Sequence, residues 1–126
     1  MSTRAVYTFK DQDDTFHIYK HHDGYPTGAA EWIANAIPKA WALPRFEAAE
    51  FAAAFVAGNK ERGGGVYLTT DWQVHGDLDY RYEITTAGGD LQVTAFKKVW
   101  GETSDTYTGI FLGTLADFQS RADAIR

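Results

Sequence analysis

The chain has 126 residues and a mass of 14.0 kDa, enough for one compact domain and too little for a second with its own core. Twelve Lys and Arg against seventeen Asp and Glu give a formal charge of −5. That balance argues against a protein that holds long nucleic acid by neutralising phosphates, although a few arginines in a pocket suffice for one small phosphorylated ligand.

No cysteine is present, which excludes a disulfide framework, a zinc knuckle, a thiolate nucleophile and an iron–sulfur site together and leaves cytosol as the default compartment. After Met1-Ser2-Thr3-Arg4 the chain alternates polar and apolar residues instead of opening an apolar run. The longest apolar stretch, Phe51 to Ala57, is far short of a membrane span. Neither a signal peptide nor a spanning segment is expected, and no membrane partner.

Arg4 to Lys10 and Thr15 to His21 read as two strands, with Ala5, Tyr7 and Phe9 on one side of the first and Arg4, Val6, Thr8 and Lys10 on the other. The polar run Asp11-Gln12-Asp13-Asp14 makes them an antiparallel hairpin, whose second strand delivers His21, His22 and Asp23 to one end of the sheet. Turn chemistry over Asp23 to Gly28 precedes a helix starting near Thr27, a candidate N-cap, with Ile33, Ala36 and Ile37 at helical spacing. Pro38 kinks or ends it. Pro44 suits the first turn of a second helix running to Ala57, stopped by Gly58 or Asn59, where Ala48, Phe51, Ala52 and Phe55 share a face.

Lys60 to Gly65 reads as a flexible connection. Strands follow at Val66 to Trp72, Tyr80 to Thr86, Leu91 to Trp100 and Ser104 to Leu112, with Ala87-Gly88-Gly89-Asp90 as a hairpin turn. Thr114 and Asp117 form a capping box for a short helix carrying Leu115, Phe118, Ala122 and Ile125 on one stripe. The order ββααββββα predicts a single α+β domain over residues 1–126: a mainly antiparallel sheet with two central helices and a short C-terminal one, the helices on one face.

The densest polar cluster runs from Tyr19 to Pro26: a strand end, a sharp turn and a helix start. Free backbone N–H groups at such a helix start make a site for a phosphate or carboxylate, with Arg4 or His21 as cation and Tyr25 as a stacking surface. The structural alternative is a tight turn in which Gly24 supplies an unusual φ, Pro26 starts the helix and Asp23 hydrogen-bonds the turn. His-x-Asp recurs as His21-His22-Asp23 and His75-Gly76-Asp77. Two imidazoles and two carboxylates brought together could bind a divalent metal or act as general base and acid, yet the spacing lacks the i, i+4 pair of a helical zinc motif.

On the strand after His75, Tyr80 and Tyr82 face one way and Arg81 and Glu83 the other. Arg81 is either a phosphate fork or, as is commoner for a lone strand arginine, the partner of Glu83, Asp79 or a cross-strand acid. The tyrosines are core or, with Tyr107 and Trp100, a base-stacking platform. No phosphate-binding glycine loop, nucleophile elbow or dinucleotide fingerprint is found, and no cofactor is implied.

The Met1-Ser2-Thr3-Arg4 start and the turn carrying His21, Asp23, Gly24, Tyr25 and Pro26 resemble a group of small bacteriophage and prophage proteins that share a Thr-Arg start and a His-x-Asp-Gly-Tyr-Pro motif. The resemblance covers the first third of the chain and brings no established activity with it. It implies a viral origin and action in the cytoplasm of an infected bacterial host. The expectation that follows is an anti-defence protein, a homo-oligomer that sequesters a nucleotide immune signal, a cyclic oligonucleotide or cyclic ADP-ribose, without cleaving it. Its ligand-binding residues are expected to be Arg4, His21, Asp23, Gly24, Tyr25, Tyr80, Arg81 and Trp100, with no catalytic residue and no metal. The alternatives are an inhibitor directed at a host defence protein and a small metal-dependent phosphodiesterase using His21, Asp23, His75 and Asp77.

Overall fold

The computed structural model describes residues 3–61, 65–99 and 106–125. Six strands form one mixed sheet: β1 (Ala5–Lys10), β2 (Thr15–Lys20), β3 (Val66–Thr69), β4 (Tyr80–Ala87), β5 (Asp90–Lys98) and β6 (Tyr107–Thr114). Their order across the sheet is β3-β2-β1-β4-β5-β6. Neighbours pair antiparallel except β1 and β4, which run parallel from Ala5↔Tyr80 to Phe9↔Ile84. That parallel pair is the departure from the antiparallel expectation, and it places β1 at the centre of the sheet. Three helices, α1 (Pro26–Ala36), α2 (Ala48–Asn59) and α3 (Leu115–Arg121), complete the α+β fold.

The period of two decides the core. Ala5, Tyr7, Phe9, Ile18, Tyr82, Ile84, Val93 and Ala95 point to one face and pack with Ile33, Phe51, Phe55 and Phe118 of the helices. Tyr7 lies 4.8 Å from the Phe55 ring and 5.2 Å from Tyr82, centroid to centroid. A smaller cluster of Val6, Tyr19 and Leu78, with Trp72 and Tyr107 against it, forms on the other face. There the only described cover is the segment between β3 and β4. Trp72–Val74 is a single helical turn, so β3 ends at Thr69 and not at Trp72; Asp71 accepts a hydrogen bond from the Gln73 N–H at 2.9 Å and turns the chain out of the sheet.

The helix boundaries follow from prolines and caps, near and distant in sequence. The α1 N-cap is Tyr25, without a side-chain bond, and Pro26 fills the first helical position, so Thr27 is already inside the helix. A helical turn over Ile37–Lys39 follows α1, as Pro38 demands. Pro44 lies before α2 and not in it. The helix opens at Ala48, whose N–H is capped by Asp11 Oδ2 at 2.7 Å, reaching over from the β1–β2 turn. α2 then lies so close to α1 that a Cβ on Gly58 would collide with the Asn35 carbonyl oxygen. Buried Asn59 ties the two together by donating to the Trp32 and Phe55 carbonyls at 2.9 Å each and accepting from Asn35 at 3.1 Å. At the β4–β5 turn Gly88 and Gly89 take φ of 61° and 86°, values a two-residue hairpin loop requires. The Thr114 side chain accepts from the Asp117 N–H at 3.1 Å and caps α3.

Asp11 also accepts from the N–H groups of Asp13 and Asp14, both at 2.8 Å, and these three donors, Ala48 foremost, hold its carboxyl below the ordinary carboxylate range. A depressed folded-state pKa contributes stability that is present above the unfolded value, about 3.9, and lost as pH falls through the folded one. Urea midpoints measured downward from pH 5 are expected to fall less steeply for Asp11→Asn than for the parent chain; equal slopes would show that the cap does not titrate with folding.

Candidate functional site

Arg4 immediately precedes β1 and His21 immediately follows β2, so antiparallel pairing puts both at one end of the sheet. Ala5 and Lys20, paired with each other, face the helices. Arg4 and His21 therefore fall on the open face, where the β3–β4 segment meets them. The backbone there is locked. Arg4 N–H donates to Asp79 Oδ2 at 3.0 Å, and the Asp79 and Tyr80 N–H groups return to the Arg4 carbonyl at 2.9 and 3.2 Å.

The Arg4 side chain is held by its Nε, which donates toward His21 Nδ1 at 3.3 Å and lies 3.2 Å from Asp77 Oδ2. Its side chain is also hydrogen-bonded to the Tyr19 hydroxyl. With Arg4 donating to Nδ1, the neutral ring of His21 carries its proton on Nε2. The Tyr19 hydroxyl is 2.9 Å from the same Nδ1. Burial, reinforced by Asp77 and opposed by Arg4, raises the Tyr19 phenol above its usual value and keeps it a donor. The Tyr19 ring stacks on His75 at 4.3 Å and 13°, and the Tyr67 ring lies tilted at 5.9 Å from it. His75 is oriented by Thr69, Nε2 to Oγ1 at 2.9 Å. The result is a guanidinium fork beside a strip of aromatic faces.

Arg81 shares the open face but is spent on structure. Its guanidinium carbon lies 3.6 Å from the Trp72 ring centroid, with Phe96 and Tyr107 at 5.3 and 5.6 Å, and Nη2 pairs with Glu83 at 3.5 Å. Desolvation lowers its pKa, Glu83 partly offsets this, and Nε is buried without a partner among the described residues. The pairing alternative for Arg81 describes this geometry.

Asp23, Gly24, Tyr25 and Tyr80 lie on the helix side. Asp23, and not Gly24, takes the left-handed conformation, with φ 55°. Gly24 is needed for another reason: a Cβ there would sit 2.7 Å from the Ala5 Cβ. Its N–H donates to the Thr3 carbonyl at 2.9 Å and its carbonyl accepts from the Tyr82 hydroxyl. The Asp23 carbonyl takes the Trp32 indole N–H at 3.1 Å and occupies the place of a Gly28 Cβ. An acidic side chain thus already stands at the start of α1, where the helix favours an anion. Lys20 lies buried beside it with its ammonium 3.8 Å over the Trp32 ring; burial lowers its pKa and Asp23 raises it. Tyr25 and Tyr80 line a cleft of about 320 Å³ with Pro26, Thr27, Ala122 and Ile125. Tyr82 is fully buried, so it is core and not a stacking platform.

The expected set therefore divides in two across the sheet, Arg4, His21 and Arg81 on the open face and Asp23, Gly24, Tyr25 and Tyr80 on the other; Trp100 lies outside the described residues. His21 and Asp77 do meet, through Arg4, and His75 reaches them through Tyr19. Among the described residues no three His, Asp or Glu side chains are grouped to hold a metal ion. Sequence reading missed Tyr19, Tyr67 and Trp72 as neighbours of the cations, although alternation along β2 and β3 places Tyr19 and Tyr67 on the Arg4 side. No protein-family model, curated protein or solved structure matches the chain.

His17, also on the open face, bonds Thr8 Oγ1 at 2.8 Å, and burial followed by the Arg81 charge holds its ring below the ordinary imidazole pKa. An NMR titration should give His17 a midpoint under about 6.5, and Arg81→Met should move it upward. The sign follows: this depressed imidazole adds stability above its unfolded pKa that is lost as pH falls through the folded one.

Proposed function

We propose that the protein is a bacteriophage anti-defence protein that binds a nucleotide-derived immune signal in the host cytoplasm and withholds it from its effector without cleaving it. The observation that carries this reading is the setting of Arg4: its Nε is held by His21 and Asp77 and its side chain is hydrogen-bonded to Tyr19, so the guanidinium is fixed on the open face next to the stacked Tyr19 and His75 rings and Tyr67. A guanidinium pre-oriented through Nε presents its remaining N–H groups to a phosphate in bidentate fashion. The aromatic strip supplies faces for a base. In the same reading His21 Nε2–H is a second donor. Sequestration needs no catalytic group, only affinity on the order of nanomolar, about −12 kcal/mol, which requires most of the ligand to be buried.

The test incubates the purified protein with cyclic dinucleotides, cyclic trinucleotides and cyclic ADP-ribose isomers, removes the protein by filtration, and measures free ligand by mass spectrometry before and after heat denaturation. One ligand should leave the free pool and return with its mass unchanged. Arg4→Ala should weaken its binding by about 10- to 100-fold, the loss of one or two charge-assisted hydrogen bonds, whereas Tyr25→Ala, across the sheet, should not. Return of an altered mass would make the protein an enzyme, and no depletion would remove the nucleotide reading.

A further inference from the structure

The two edges of the sheet are built differently. At the β3 edge an apolar groove of about 500 Å³ opens between α2 and strands β2 and β3, lined among others by Phe16, Ile18, Ala52, Ala53, Val56 and Leu68. No Asp, Glu, Lys or Arg lines it, in a chain whose net charge is −5. Leu68 stands at its rim, 80% exposed, with Phe16 39% exposed beside it and Tyr67 57% exposed on the opposite face of β3. A large aliphatic side chain that far out of contact, next to a hollow floored by alanines, marks a surface made for a partner.

The backbone of β3 says what kind. The His21 N–H donates to the Gly65 carbonyl at 2.9 Å, and the register Lys20↔Val66 to His17↔Thr69 continues from it. Bonded pairs alternate in an antiparallel ladder, so Tyr67 and Thr69 exchange bonds with β2 while Val66 and Leu68 direct their N–H and C=O groups to the open edge. The Val66 carbonyl is taken by Lys60 Nζ at 3.2 Å. Among the described residues Leu68 is left as the one that offers both backbone groups, and such an edge accepts another strand.

We propose that this edge is the interface of a twofold dimer, in which β3 of a second copy pairs antiparallel with β3 about Leu68. An isologous interface needs its knob and its hole on one patch, and Leu68 beside the α2 groove is such a pair. The pairing sets the two Leu68 side chains together at the mouths of both grooves and satisfies the free N–H and C=O of each. The groove carries no acidic side chain, so two copies of an acidic chain do not repel there, and among the described residues the one charge at the edge itself is the Lys60 ammonium on the Val66 carbonyl. The twofold also brings Tyr67 of the second copy diagonally beside Tyr67 on the open face, about 7–8 Å away between backbones. That would lengthen the aromatic strip next to Arg4. This last consequence rests on the ligand-binding reading; the dimer does not.

Sedimentation equilibrium at micromolar concentration tests it. The parent chain should show twice the 14.0 kDa chain mass. Leu68→Lys and, separately, Ala53→Glu should each give the single-chain mass with unchanged circular dichroism, since both positions are exposed, and a melting temperature that no longer rises with protein concentration. Leu112→Lys, on the exposed outer strand β6, should leave the dimer intact. A monomeric parent chain overturns the proposal, as does a dimer that survives both groove variants or is broken by Leu112→Lys. None of these outcomes depends on whether a nucleotide binds.

Discussion

The parallel pairing of β1 with β4 is the constraint on which the rest of the structure depends. Two parallel strands cannot be closed by a tight turn, and between β1 and β4 the chain leaves the sheet after β2, re-enters it as β3 on the outer side of β2, and then crosses the β1–β2 pair to lie alongside β1. Both long helices travel in that excursion and cover one face. β1 is consequently enclosed, with every residue from Ala5 to Phe9 buried. The other face receives only the short segment around Trp72 and Leu78 among the described residues, which makes it thinly covered and places the Arg4 cluster where a solute can reach it.

Two buried or half-buried cations show how that division is stabilised. Lys20 on the helix side lies over Trp32, and Arg81 on the open side lies against Trp72, at 3.8 and 3.6 Å from the ring centroids. Burial disfavours both charges, and an indole face returns part of the lost hydration, about 2 kcal/mol for a desolvated pair. Arg4 is arranged otherwise. It is gripped at Nε by an imidazole and a carboxylate, with the Tyr19 hydroxyl hydrogen-bonded to the same side chain. A cation is thus packed against an indole face at two of these positions and held by polar side chains at the third.

Local patterns carried much of the fold. Alternation along Ala5–Lys10 and Tyr80–Glu83 assigned the correct faces, the Gly88-Gly89 turn and the Thr114 cap were legible from two or four residues, and Pro38 stopped α1 as its missing N–H requires. The misplacements have separate causes. α2 begins four residues after Pro44 because its cap, Asp11, is distant in sequence, and β3 stops early because the Asp71 side chain competes for the backbone. Within the site, His21 beside Arg4 followed from the hairpin. The meeting with Asp77 did not, since it needs β3 and β4 to sit on opposite sides of the β1–β2 pair.

By itself the sequence determined the α+β composition, the faces of most strands and the residue types available for an anion, because side-chain periodicity and turn chemistry act over a few residues. Only the tertiary structure decided that Arg4 and His21 stand across the sheet from Asp23, Gly24 and Tyr25, and that Leu68 projects beside a neutral groove. Neighbours along the chain at a strand end point to opposite faces, and strand order brings distant segments together through packing and backbone pairing that no short window contains.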